Sequence, residues 1–112
     1  MPRLICPATA VQDGGDGFCF EVETAAGLRP AFVLRWQGRV YGYLNECRHV
    51  SVELDWNPGK FFDSSGLYLV CAMHGALYEP DTGVCLSGPC SGKTLFPLSV
   101  VERDGAIYLM TP

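Results

Sequence analysis

No run of apolar residues in this chain approaches the length of a membrane span. The opening stretch, Met1-Pro2-Arg3-Leu4-Ile5-Cys6-Pro7, lacks the apolar core of a signal peptide, so neither an anchor nor secretion is expected. Basic residues are in the minority: Lys plus Arg number 8 against 12 Asp plus Glu, for a formal net charge of −4. That balance gives no electrostatic case for nucleic acid or an anionic membrane surface. The 3.6-residue repeat of an amphipathic helix never persists for about ten residues. Internal repeats and low-complexity segments are absent. Histidine is scarce, with 2 in 112 residues.

Those two histidines are placed with care. Each follows a cysteine, in Cys47-Arg48-His49 and in Cys71-Ala72-Met73-His74. One stretch is Cys-x-His and the other Cys-x-x-His, with residues 50–70 between them. Thiolate and imidazole are metal ligands, so the four side chains suit a metal centre fed by two loops. A tetrahedral zinc site is one such centre, although structural zinc arms usually read Cys-x-x-Cys. Six cysteines in an acidic chain expected to be cytosolic point to metal ligation before disulfides.

The rest reads as strands and turns. Residues 17–23 alternate, with Phe18, Phe20 and Val22 on one face and Cys19 and Glu21 on the other. Residues 24–30 are expected to break that strand. Residues 31–36 and 40–44 form a hairpin about Gln37-Gly38-Arg39. Turns follow at 55–59 and 63–66, with a short strand at 60–62 between them. Strands are expected at 67–70, 76–78 and 84–86, with a β-turn at Pro80-Asp81-Thr82-Gly83. A last hairpin joins 95–101 to 106–110. The class is all-β, one domain of short strands in a sandwich or barrel.

The paired motifs resemble the Rieske family of iron–sulfur proteins, in which two loops each give one Cys and one His to a 2Fe–2S cluster. The resemblance covers the chain from Gly17 onward. It implies that Cys47 and Cys71 hold one iron and His49 and His74 the other. It implies a β-sandwich base, about residues 1–44 and 93–112, with a small cluster-binding lobe at about 45–92. The loop at Gly88-Pro89 is similar to the family's proline loop, which covers the cluster, and Leu54 and Met73 are expected to shield it. Trp56 is read as packing. High-potential relatives join the loops by a disulfide, but those positions hold Val52 and Met73 here. They also place a serine where this chain has Ala76, while the tyrosine is retained as Tyr78. Ser51 stands where glycine is common. These features fit the soluble ferredoxin-like branch.

Four cysteines remain. Cys6 and Cys19 are expected to be buried apolar residues. Cys85 and Cys90 are read as buried thiols, with a disulfide between them as the next option. By resemblance the chain is a cytoplasmic one-electron carrier, the ferredoxin component between a flavoprotein reductase and a terminal oxygenase. It is not itself the hydroxylase, since no histidine remains for a mononuclear iron site. Rival readings are an accessory or redox-sensing Rieske subunit and a zinc-stabilised binding module. Glu46 and Glu53 are expected to steer partner encounter.

Overall fold

The computed structural model describes residues 2–47, 53–55, 59–71, 75–88 and 91–110. The expectations placed on His49, Ser51, Val52, Trp56, Met73, His74, Pro89 and Cys90 lie outside those residues. The described chain is almost wholly β. Its strands are β1 (Pro2–Pro7), β2 (Phe18–Thr24), β3 (Gly27–Trp36), β4 (Arg39–Leu44), β5 (Leu69–Val70), β6 (Leu77–Tyr78), β7 (Cys85–Ser87), β8 (Pro97–Leu98), β9 (Val100–Arg103) and β10 (Ala106–Met110). A single 3-10 turn, η1 (Ala8–Ala10), follows β1. The paired strands form three antiparallel sheets, ordered β1-β10-β9, β2-β3-β4-β8 and β5-β6-β7.

The hairpins form where the sequence places special turn residues. Gln37 and Gly38 both have positive φ, 51° and 82°, and Asp104 and Gly105 repeat this at 51° and 77°. Two consecutive left-handed residues give a turn whose twist matches the strands it joins. One expected break is instead strand: β3 starts at Gly27 and runs through Pro30, which pairs with Glu21. Proline fits because the β3–β4 ladder begins only at Ala31↔Leu44, so the missing N–H lies beyond it. The carbonyl of Pro30 still accepts from Asn45 N–H at 2.8 Å. Residues 60–62 form no strand, only an isolated bridge at Phe62↔Leu69, and β5 is shorter than expected. β1 was not legible in the sequence.

β3 is buried on both faces. Ala31, Phe32, Val33 and Leu34 are all 0% exposed. Val33 packs with Cys6, Val11 and Ile107, and Ala31 with Val22 and Leu109, which joins the two larger sheets as a sandwich. Phe32 and Leu34 point the other way, into a core shared with Cys47, Leu54, Phe61, Leu69, Cys71 and Tyr78. Phe32 and Phe61 stack with ring centroids 3.9 Å apart. Tyr43, also in this core, donates to the Pro80 carbonyl at 2.8 Å. Gly83 lies so close to the Tyr43 ring that a Cβ there would stand 2.8 Å from it.

Cys6 is buried as expected, but Cys19 is exposed. The two-residue period explains the correction: Cys19 lies on the face of β2 opposite Phe18, Phe20 and Val22. Its sulfur leans on Asp55, and partial burial followed by that carboxylate's charge push the thiol up to about 11.

Two predictions follow from this packing. Phe61→Ala should cost roughly 3–5 kcal/mol of stability, read from the denaturant midpoint; a loss under about 1 kcal/mol would show that the ring does not tie the cores together. The second concerns Arg35, which donates to both carboxylate oxygens of Glu102 at 2.8 Å. Hydrogen bonding from Arg35 holds Glu102 below the usual carboxylate range. Its folded value is therefore lower than its unfolded one. The stabilisation is present above the ordinary range and is lost as pH falls through the lowered value. With the Glu102 side chain 34% exposed, screening limits the effect to about 1 kcal/mol or less. The stability gap between wild type and Glu102→Gln in urea titrations should shrink from neutral to acid pH; a constant gap counts against the pair.

Candidate metal centre

Cys47 lies three residues beyond the last residue of β4, and Cys71 directly follows β5. They are 2% and 0% exposed and belong to one hydrophobic core with Leu54, Ala76, Tyr78 and Cys85. Two separate loops therefore bring two buried sulfurs into the same apolar region. The Cys71 loop continues the β5–β6 ladder. Cys71 N–H donates to the Ala76 carbonyl at 2.9 Å, and Gly75 N–H donates back to the Cys71 carbonyl at 2.8 Å. Gly75 takes φ +70°, a conformation open to glycine at little cost. The turn thus has both ends fixed.

Tyr78 is fully buried, and its hydroxyl oxygen lies 3.5 Å from Cys47 Sγ. A cysteine held as thiolate offers no proton, so in that state Tyr78 is the donor. This arrangement suits a sulfur that carries negative charge as an iron ligand.

The third loop arrives over Ala76. Gly88 has φ +109°, and a Cβ on it would stand 3.0 Å from Ala76 Cα and 3.2 Å from its Cβ. Ala76 is 0% exposed. Only a residue without a side chain approaches that closely in that conformation. The loop is closed behind it by Cys85 N–H donating to Lys93 carbonyl at 2.7 Å and Gly92 N–H to Cys85 carbonyl at 3.1 Å. Cys85 is buried, and its thiol donates to the Ser87 carbonyl at 3.4 Å.

Glu46 does not offer the open charge that steering calls for. It forms an ion pair with Arg29, with the two side chains 21% and 32% exposed. Its charge is largely answered on the spot, which corrects the expectation placed on it. Glu53 is exposed. The sequence reading also missed two residues beside the first loop. Asn45 and Asp55 are both buried, and their side chains meet at 2.7 Å. A signal existed in the Asn45-Glu46-Cys47 run, but a polar residue before a ligand loop does not announce burial.

The donor set fits a 2Fe–2S group: buried soft sulfurs on two loops, a hydroxyl on one of them, and a glycine-fitted loop at Ala76. No helix among the described residues is long and apolar enough to cross a membrane. A search of curated protein sequences finds no match. Among solved structures, the ferredoxin of carbazole 1,9a-dioxygenase from Nocardioides aromaticivorans IC177 is similar at 22% identity, with TM-score 0.77 over 97% of this chain and 96% of that one. A ferredoxin of Sphingomonas yanoikuyae B1 is similar at 21% identity, with TM-score 0.79 and 100% of both chains covered. A chain in the complex of reduced oxygenase and oxidized ferredoxin of carbazole 1,9a-dioxygenase is similar at 24% identity, with TM-score 0.70 over 95% of this chain and 89% of that one. These likenesses establish the fold. The family model for the Rieske [2Fe-2S] domain matches residues 3–103, and the chain belongs to that family.

Proposed function

We propose that this protein is a one-electron carrier in which Cys47, His49, Cys71 and His74 hold a single 2Fe–2S cluster. The observation that carries the assignment is the pair of buried cysteines on two loops of one core, with Tyr78 against the Cys47 sulfur. When bound, the cluster supplies a one-electron couple. The residues around it do the rest. Cys47 and Cys71 supply anionic sulfur to one iron, and His49 and His74 supply neutral imidazole to the other. Phe61, Leu69 and Leu54, each 0% exposed, keep water from the cysteine side. The cluster-binding lobe is about residues 45–92 and the base about 1–44 and 93–112.

The partners proposed are a flavoprotein reductase and a terminal oxygenase, with the protein shuttling in the cytoplasm. Support comes from the similar ferredoxin found with the oxygenase of carbazole 1,9a-dioxygenase. These 112 residues hold no histidine beyond His49 and His74 for a mononuclear iron site, which favours an electron-carrying role for them. Docking uses the end of the lobe bearing His49 and His74, where the path to the cluster is shortest.

Ligation is tested by composition. The purified protein should contain about two iron and two sulfide per chain and show a rhombic paramagnetic signal when reduced. His49→Ala should change that signal, and Cys47→Ala or Cys71→Ala should abolish it. Stoichiometric zinc without sulfide after anaerobic reconstitution, or an unchanged spectrum in His49→Ala, would overturn the assignment.

The potential follows from the sulfur environment. It should lie toward the low end of the Rieske range, about −150 to +300 mV. The Ala76 side chain cannot donate a hydrogen bond, whereas a serine hydroxyl there supplies a donor. A donor to a charged acceptor contributes up to about 3 kcal/mol and a neutral bond as little as about 0.5. About 1.4 kcal/mol corresponds to about 59 mV for one electron. Ala76→Ser should therefore raise the potential, and Tyr78→Phe lower it, by roughly 20 to 130 mV each. The measurement is voltammetry of the three proteins at one pH. No upward shift in a cluster-loaded Ala76→Ser, or none downward in Tyr78→Phe, contradicts this account of the sulfur environment.

A further inference from the structure

Asn45 and Asp55 are 2% and 8% exposed and are not among the proposed ligands. Asn45 stands just past β4, its backbone fixed by the bond to Pro30. Its side chain acts in both directions. Oδ1 accepts from Leu54 N–H at 2.8 Å, and Nδ2 donates to Asp55 Oδ1 at 2.7 Å. The other Asp55 oxygen accepts from Gly59 N–H at 2.9 Å and from the Cys19 thiol at 3.4 Å. The loop 46–53, which carries Cys47 and His49, is thus closed at its neck by one pair of side chains.

Burying a carboxylate is costly unless its oxygens find donors. Here donors converge from the end of β4, from Gly59 and from β2. None of the ion pairs among the described residues includes Asp55. Fully bonded buried networks of this kind fix a single arrangement, because any slip strands a polar group away from water. The described residues of 46–53, namely Glu46, Cys47 and Glu53, belong to no strand, and the side chains of Asn45 and Asp55 bond across the neck.

We infer, on the cluster-binding reading above, that Asn45 and Asp55 form a clamp that positions the loop bearing Cys47 and His49 and so sets the geometry of the cluster. They are positioning residues, acting through the loop.

The direction of each bond makes the clamp testable. Asn45→Asp sets two carboxylates against each other. Asp55→Asn keeps the bond from Asn45 but turns an amide donor toward Gly59 N–H, which loses its acceptor. The double exchange, Asn45→Asp with Asp55→Asn, restores all three of these bonds. The new carboxylate at position 45 accepts from Leu54 and from the new amide at position 55, whose oxygen accepts from Gly59. Wild type, both single variants and the exchange are compared for iron and sulfide per chain and for the paramagnetic spectrum of the reduced protein. Each single variant should lose iron or shift its spectrum, and the exchange should regain the wild-type content and line shape. Single variants with the wild-type spectrum, or a folded exchange variant that resembles the singles, would overturn the clamp. Should the single variants not fold, hydrogen exchange in the wild-type protein decides. The Leu54 and Gly59 amides should be protected, and rapid exchange at both would refute the clamp. A wild-type protein without iron and sulfide defeats the cluster reading instead, and the same exchange measurement still decides whether the neck is clamped.

Discussion

One strand has to be shielded from water on both sides, and the rest of the molecule is arranged around that need. The side chains of β3 alternate between two cores, with Ala31 and Val33 on one face and Phe32 and Leu34 on the other. A strand of this kind demands a layer over each face. The sheet of β1, β10 and β9 covers the first. The small sheet and the loops of Cys47 and Cys71 cover the second. The two cysteines of the candidate metal centre therefore lie in the protein's second core, and they are dry because Phe32 and Leu34 must be.

The two loops reach that core under different restraints. Cys71 is held by backbone, since its loop prolongs a two-stranded ladder and closes on itself through Ala76 and Gly75. Cys47 follows the end of β4, and side chains take over where the ladder stops. A short turn can be fixed by its own peptide groups. The longer excursion 46–53 is bounded at its neck by the Asn45 side chain.

What was readable in the sequence was what depends on residue type or on a two-residue period. Cys47, His49, Cys71 and His74 stood out because histidine is scarce and always follows cysteine. The alternation of Phe18, Phe20 and Val22, and the Gln37-Gly38 and Asp104-Gly105 turns, located their strands by local chemistry. The structure bears out the all-β class, and Leu54, Ala76 and Tyr78 are buried in the core that holds Cys47 and Cys71. All but one of the misreadings share one cause: partners distant in sequence. Pro30 is tolerated in β3 only because of where β4 ends. Glu46 loses its open charge to Arg29, and β1 exists by pairing with β10 at the far end of the chain. Asn45 and Asp55 are ordinary loop residues until the fold brings them together. Cys19 was misplaced for another reason, since its own strand's alternation already set it opposite the apolar face.

The small sheet is tied to the sandwich at two separated points, the Phe32–Phe61 stack and the seat of Tyr43 under residues 80–83. Contacts of this kind decide how a protein comes apart. The small sheet cannot lift away without also exposing the face of β3 that carries Phe32 and Leu34. Freeing the cysteines by lifting the small sheet therefore carries the added cost of that apolar exposure. Sandwich and small sheet are thereby coupled through one shared apolar core, and lifting one from the other draws on the stability of both.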